Sequence, residues 1–84
     1  MHAVRVRCRL FARYAEVAGV EDVELEVPGP ATVGDAVALL RRQLPSGHLL
    51  PARPLVARNR AHALTGDPLA DGDELAILPP LAGG

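Results

Sequence analysis

The sequence predicts an α+β fold in which a mixed sheet grips one main helix. Three observations carry that prediction. Two segments near the start alternate strictly between apolar and polar residues, one stretch in the middle places apolar residues at helical spacing, and one segment near the end alternates again. The 84 residues fit a single domain, and a helix with one apolar stripe needs a sheet to bury it.

In the first segment Val4, Val6, Cys8 and Leu10 alternate with Ala3, Arg5, Arg7 and Arg9, which marks a strand with one dry face and one wet face. Residues 12–18 are Ala-rich and stop at Gly19, the pattern of a short helical turn with a glycine cap. A second strand follows, with Val23, Leu25 and Val27 inward and Glu24 and Glu26 outward. Paired with the first strand, it sets those two acids against Arg5, Arg7 and Arg9 as a neutralised ladder. Pro28-Gly29-Pro30 breaks the strand. Thr32 with Asp35 three residues later reads as a capping box, and Val33, Ala36, Val37, Leu40 and Leu44 form the stripe of the one substantial helix. Arg41 and Arg42 sit at its end, where the helix dipole favours cations.

Residues 45–54 read as a loop with three prolines. A short strand covers residues 54–59 and leads into a turn or edge strand at Asn59–His62. Turn formers crowd residues 66–73, and Glu74-Leu75-Ala76-Ile77-Leu78 is the last strand. The order of strand, short helix, strand, long helix, strand, edge segment, strand fits a β-grasp of the ubiquitin-like kind. That topology sets the first and last strands side by side and parallel at the sheet centre. The domain spans residues 1–78, and residues 79–84 form an extended tail.

Composition closes several routes to function. Formal net charge is −1, so no general attraction to nucleic acid or membrane is expected. All nine basic residues are Arg, leaving no side-chain amine for an isopeptide bond or a Schiff base. The single Cys8 allows neither an internal disulfide nor a multi-cysteine zinc site, and its apolar neighbours predict a buried, inert thiol. There is no signal peptide and no apolar run long enough to span a membrane, so the expected location is the cytoplasm. His2, His48 and His62 lack metal-ligand spacing, Ser46 is the only serine, and Asp67, Asp71 and Asp73 belong to turns. No metal site is expected, and no internal side chain looks like a catalyst.

The end of the chain is different. Pro79 and Pro80 forbid a helix and cannot extend a ladder, so they favour a stiff, extended stem. Leu81 and Ala82 are apolar, and Gly83-Gly84 carries no side chains and can thread a narrow channel. A Gly-Gly end alone is a weak signal; after a final strand and a Pro-Pro stem it points to the Gly84 carboxylate as the working group. Strand parity adds a docking surface. Odd residues of the first strand face out, up to Phe11 if the strand continues, and Ala76 and Leu78 face out on the last. In a parallel pair, Phe11 and Leu78 meet beside the tail, unless the short helix covers Phe11.

Residues 71–84, Asp-Gly-Asp-Glu-Leu-Ala-Ile-Leu-Pro-Pro-Leu-Ala-Gly-Gly, closely resemble the C-terminus of the MoaD family, the small subunit of molybdopterin synthase. Leu10-Phe11-Ala12 followed by Glu16, Thr32-Val33, the strand ending at Asn59 and Pro68-Leu69 are also similar to that family. Leu78 stands where the family commonly has an aromatic, and His62 where it commonly has an apolar residue. The resemblance implies a sulfur carrier in molybdenum cofactor biosynthesis. A ubiquitin-activating-like adenylyltransferase would consume ATP to adenylate Gly84, and a sulfur donor would displace AMP to leave a thiocarboxylate. The tail, with Gly83, Ala82, Leu81, Pro80 and Pro79 behind the sulfur, would enter the large synthase subunit, docked through Phe11 and Leu78. There it would deliver sulfur to a cyclic pyranopterin precursor. The chain binds no cofactor in this reading, and the large subunit supplies the catalytic side chains.

Three other readings stand beside it. The same tail suits a sulfur carrier for thiamine or tRNA thiolation, and it suits a ubiquitin-like modifier attached to lysines of target proteins. A structural or RNA-binding module is opposed by the low aromatic content and balanced charge.

Overall fold

The computed structural model describes residues 2–80. Its elements follow the expected order. They are β1 (Ala3–Leu10), α1 (Arg13–Ala18), β2 (Asp22–Pro28), α2 (Val33–Gln43), β3 (Leu55–Arg58), β4 (Ala61–Ala63) and β5 (Glu74–Leu78), with a single 3-10 turn at Gly47–Leu49 between α2 and β3.

The five strands form one sheet in the order β2-β1-β5-β3-β4. β1 pairs antiparallel with β2 and parallel with β5, and β3 pairs antiparallel with both β4 and β5. The first and last strands are therefore adjacent and parallel near the centre, the β-grasp arrangement. Period two decides which side chains go inside: Val4, Val6, Cys8, Leu10, Leu25, Val27, Val56, Leu75 and Ile77 are all buried. α2 covers that face with Val33, Ala36, Val37 and Leu40, so the core lies between one helix stripe and the inner side of the sheet.

Local chemistry sets the element ends. The Thr32 hydroxyl accepts from the Asp35 N–H at 3.2 Å, and the Asp35 carboxylate accepts from the Thr32 N–H at 3.0 Å, completing the capping box. α1 stops at Gly19, whose φ of 76° is the left-handed cap conformation. Asn59 and Arg60 both have positive φ (50° and 72°), as a two-residue hairpin turn between β3 and β4 requires.

Residues 45–54, read as loop from the sequence, carry more order than that. Leu50 is buried in the core. Arg41 Nε donates to the Leu50 carbonyl at 2.9 Å, and Ser46 Oγ donates to the Val17 carbonyl at 2.6 Å. Gly47 lies so close to α2 that a methyl there would overlap the Arg41 carbonyl. The segment fastens the C-terminal end of α2 down on α1.

Candidate functional site: the exit end of the sheet

The outer face of the sheet, away from α2, divides into a charged part and an apolar part. On β1 and β2 the register sets Arg5 against Glu26, Arg7 against Glu24 and Arg9 against Asp22. The guanidinium–carboxylate distances are 3.1, 3.9 and 3.4 Å. The expected ladder is present, with Asp22 as a third acid. All six side chains are largely exposed, so each pair contributes at most about 1 kcal/mol.

The apolar part lies at the end where the chain leaves β5. The last paired residues of β1 and β5 are Leu10 and Ile77, so the next step in register sets Phe11 beside Leu78. Leu78 in turn pairs with Leu55 on β3. Continuing the β3–β4 register one step past Val56 and Ala63 brings Leu64 opposite Leu55. Phe11, Leu78, Leu55 and Leu64 thus share one row across four strands, a span of about 14 Å at ordinary strand spacing. Phe11 is 39% exposed, Leu55 42% and Leu64 64%, and Leu78 is half-buried. α1 leaves Phe11 exposed, and the extended register sets it level with Leu78, one step beyond the last pair. Sequence reasoning missed Leu55 and Leu64 as members of this row. Their only signal is the strand register, which brings together residues far apart in the chain.

Directly after the row, Pro79 is half-buried and Pro80 exposed, where the expected stem begins. The assignments to Leu81, Ala82, Gly83 and Gly84 lie outside the described residues.

At the opposite end of β5 the chain is held by polar contacts. Asp73 is the one charged residue buried among the described residues. Its Oδ2 accepts from the Ala70 N–H at 2.8 Å and from Arg58 Nη1 at 3.5 Å, and its Oδ1 accepts from Asn59 Nδ2 at 2.9 Å. Burial by itself would raise the Asp73 pKa; the Ala70 N–H, the Asn59 amide and the Arg58 charge outweigh it and hold the carboxyl below its usual value. Asn59 Oδ1 also accepts from the Glu74 N–H at 3.0 Å, and Asp71 Oδ1 accepts from the Arg5 N–H at 2.8 Å. These contacts fix the start of β5 against β1 and β3 and so set the register that aligns the apolar row.

Internal side-chain chemistry is sparse. Cys8 is fully buried, and burial pushes its thiol up to about 12, so no thiolate is available near neutral pH. Among the described residues, no three His, Cys, Asp or Glu side chains are grouped to hold a metal ion, and no helix is long and apolar enough to cross a membrane. The geometry offers an exposed apolar surface at the root of an outgoing tail.

Residues 8–84 match the model of the ThiS family. The chain belongs to that family. This ThiS-family chain is 43% identical to small archaeal modifier protein 1 of Haloferax volcanii, an alignment covering 90% of this chain and 97% of the relative. It is 32% identical to the molybdopterin synthase sulfur carrier subunit of Arabidopsis thaliana, covering 98% and 85%. The crystal structure of the Haloferax protein superposes with a TM-score of 0.83 at 40% identity, covering 95% of this chain and 99% of the other. The resemblance read from the tail and early motifs is thereby upheld, and the chain is a ubiquitin-like β-grasp member of a sulfur-carrier family.

Proposed function

We propose that the chain is the sulfur-donating small subunit of a molybdopterin synthase in the cytoplasm, and that its reactive group is the main-chain carboxylate of Gly84. The observation that carries this reading is the exposed row Phe11, Leu78, Leu55 and Leu64 at the point where the chain departs into Pro79-Pro80. A partner that covers this row receives the tail in the same encounter. Exposed apolar surface of this kind marks interaction sites, and aromatic anchors dominate such interfaces.

A carboxylate is a poor electrophile at neutral pH. An activating enzyme overcomes this by transferring AMP from ATP to the Gly84 carboxylate, with release of pyrophosphate. Sulfur supplied at the sulfide level as HS− then attacks the acyl carbon, a C–S bond forms, the acyl C–O bond to AMP breaks and AMP leaves with its electron pair, and loss of the S–H proton gives the thiocarboxylate. Its ionised sulfur is the nucleophile delivered to the cyclic precursor inside the large subunit. The large subunit supplies the acid, base and phosphate-binding groups. This chain supplies the sulfur, the leash and the docking face.

The test is the intact mass of the protein after incubation with the activating enzyme, ATP and a sulfur donor. Exchange of one oxygen for sulfur, localised to Gly84, is expected; an unchanged mass, or sulfur on Cys8, contradicts the proposal. Capture of a molybdopterin synthase large subunit rather than a thiazole synthase assigns the pathway. A second reading, attachment to lysines of other proteins, is favoured by the 43% identity to a relative named as a modifier. Conjugates of high mass that survive thiol reductant would mark that use.

A further inference from the structure

The two edges of the sheet are unequal: β4 closes one side with three residues, and β2 closes the other with seven. Hydrogen bonds at both ends of the β1–β2 pair decide which backbone groups of β2 are used. The Leu10 N–H donates to the Glu21 carbonyl at 2.7 Å, and the Gly29 N–H donates to the His2 carbonyl at 2.8 Å. The register between them is unbroken, and bonded and non-bonded residues alternate along an antiparallel pair. Val23, Leu25 and Val27 therefore bond to β1. The N–H and C=O groups of Asp22, Glu24 and Glu26 point the other way, off the edge, and among the described residues no backbone group reaches them. Pro28, with no N–H to offer, closes the row.

A groove of about 320 Å³ opens between this edge and α2, lined by Val27, Ala38 and Leu39. It continues past Leu39 towards Gln43. Leu39 is only half-buried there. A strand laid against β2 would turn every second side chain into this groove and set the others beside Glu24 and Glu26 on the outer face. Residues 21–28 carry four acids and no base, and Arg7 approaches Glu24 no closer than 3.9 Å. A second copy of the chain fits this edge badly. The outward groups of one β2 would meet those of another, with acid opposite acid on the outer face.

We infer that the β2 edge is a strand-addition site for an extended segment of another protein, one that alternates basic residues facing Glu24 and Glu26 with aliphatic residues seated against Val27 and Leu39. The groove borders the end of β2 that pairs with Val4, at the far end of β1 from Phe11. Its occupant leaves the apolar row uncovered, and its binding does not depend on the activation of Gly84.

The probe is the peptide acetyl-Thr-Val-Lys-Val-Arg-Val-Thr-amide, added to the full-length chain while amide hydrogen exchange is followed residue by residue by NMR. At about 1 mM peptide the Glu24 and Glu26 amides should slow at least about tenfold. The Val23, Leu25 and Val27 amides, already bonded to β1, should change less. A peptide with Glu in place of Lys and Arg should leave all five unchanged. Glu26→Pro removes one outward N–H at an edge position that tolerates proline, and it should weaken binding at least about tenfold. Leu39→Gln keeps every hydrogen bond of β2 and should weaken binding by about as much. Unchanged exchange at Glu24 and Glu26, equal protection by the acidic peptide, or undiminished binding to Leu39→Gln would each overturn the inference.

Discussion

The two ends of β5 are built on opposite principles. Where the strand begins, Asp71, Asp73, Asn59 and Arg58 satisfy one another and the nearby backbone, and a carboxylate is buried because every partner is in place. Where the strand ends, Phe11, Leu55 and Leu64 are exposed and Leu78 is half-buried in the same row. The first end makes the fold specific: its hydrogen bonds fix how β1, β3 and β5 align. The second end adds nothing to the fold of the isolated domain comparable to these bonds, and its exposed apolar surface is of the kind that marks interaction sites. One region serves folding and the other is the docking face of the proposed function, only five residues apart along one strand.

Substitutions should separate the two. The largest effect is expected for Asp73→Ala, which strands the Ala70 N–H and the Asn59 amide in a buried site. It should lower unfolding stability by about 3 kcal/mol, read from the urea midpoint. Next comes Leu78→Arg. Stability should change by less than about 0.5 kcal/mol, while affinity for the activating enzyme or large subunit falls at least about tenfold by calorimetry. Leu55→Arg should behave alike, although the sequence alone does not single it out. Unfolding of both variants would move the row from the docking face into the core.

Acid should weaken the first end only. Asp73 has a lowered pKa in the fold, so its stabilisation is fully present above the ordinary carboxylate range and is lost as pH falls below that range through the lowered value. The urea midpoint should decline over that interval, and Asp73→Asn should flatten the decline. The smallest effect belongs to the ladder. Arg7→Gln should cost about 0.5 kcal/mol at low salt and nothing measurable at high salt.

What the sequence revealed, and what it concealed, follows from the range of the interactions. The alternation in β1, β2 and β5 is a local signal, and it named the inward residues and the outward Arg row correctly. The Thr32–Asp35 capping box and the Gly19 cap are equally local. Asp73 is harder to read. Its turn position is visible, but its burial depends on Asn59 and Arg58, brought close only by the β3–β5 pairing. Half of the apolar row shares that fate: Phe11 and Leu78 follow from parity on two strands, whereas Leu55 and Leu64 enter through the register of two more. The segment of residues 45–54 looked featureless because prolines hide the contacts that hold it, the Arg41 side chain on Leu50 and the Ser46 hydroxyl on Val17.

The most direct test blocks the terminus and leaves everything else alone. A chain carrying a C-terminal amide should bind its activating enzyme with undiminished affinity and support no ATP–pyrophosphate exchange, since the docking face is intact and the acceptor oxygen is gone. Exchange at the full wild-type rate with the amidated chain would contradict the assignment of Gly84 as the reactive group.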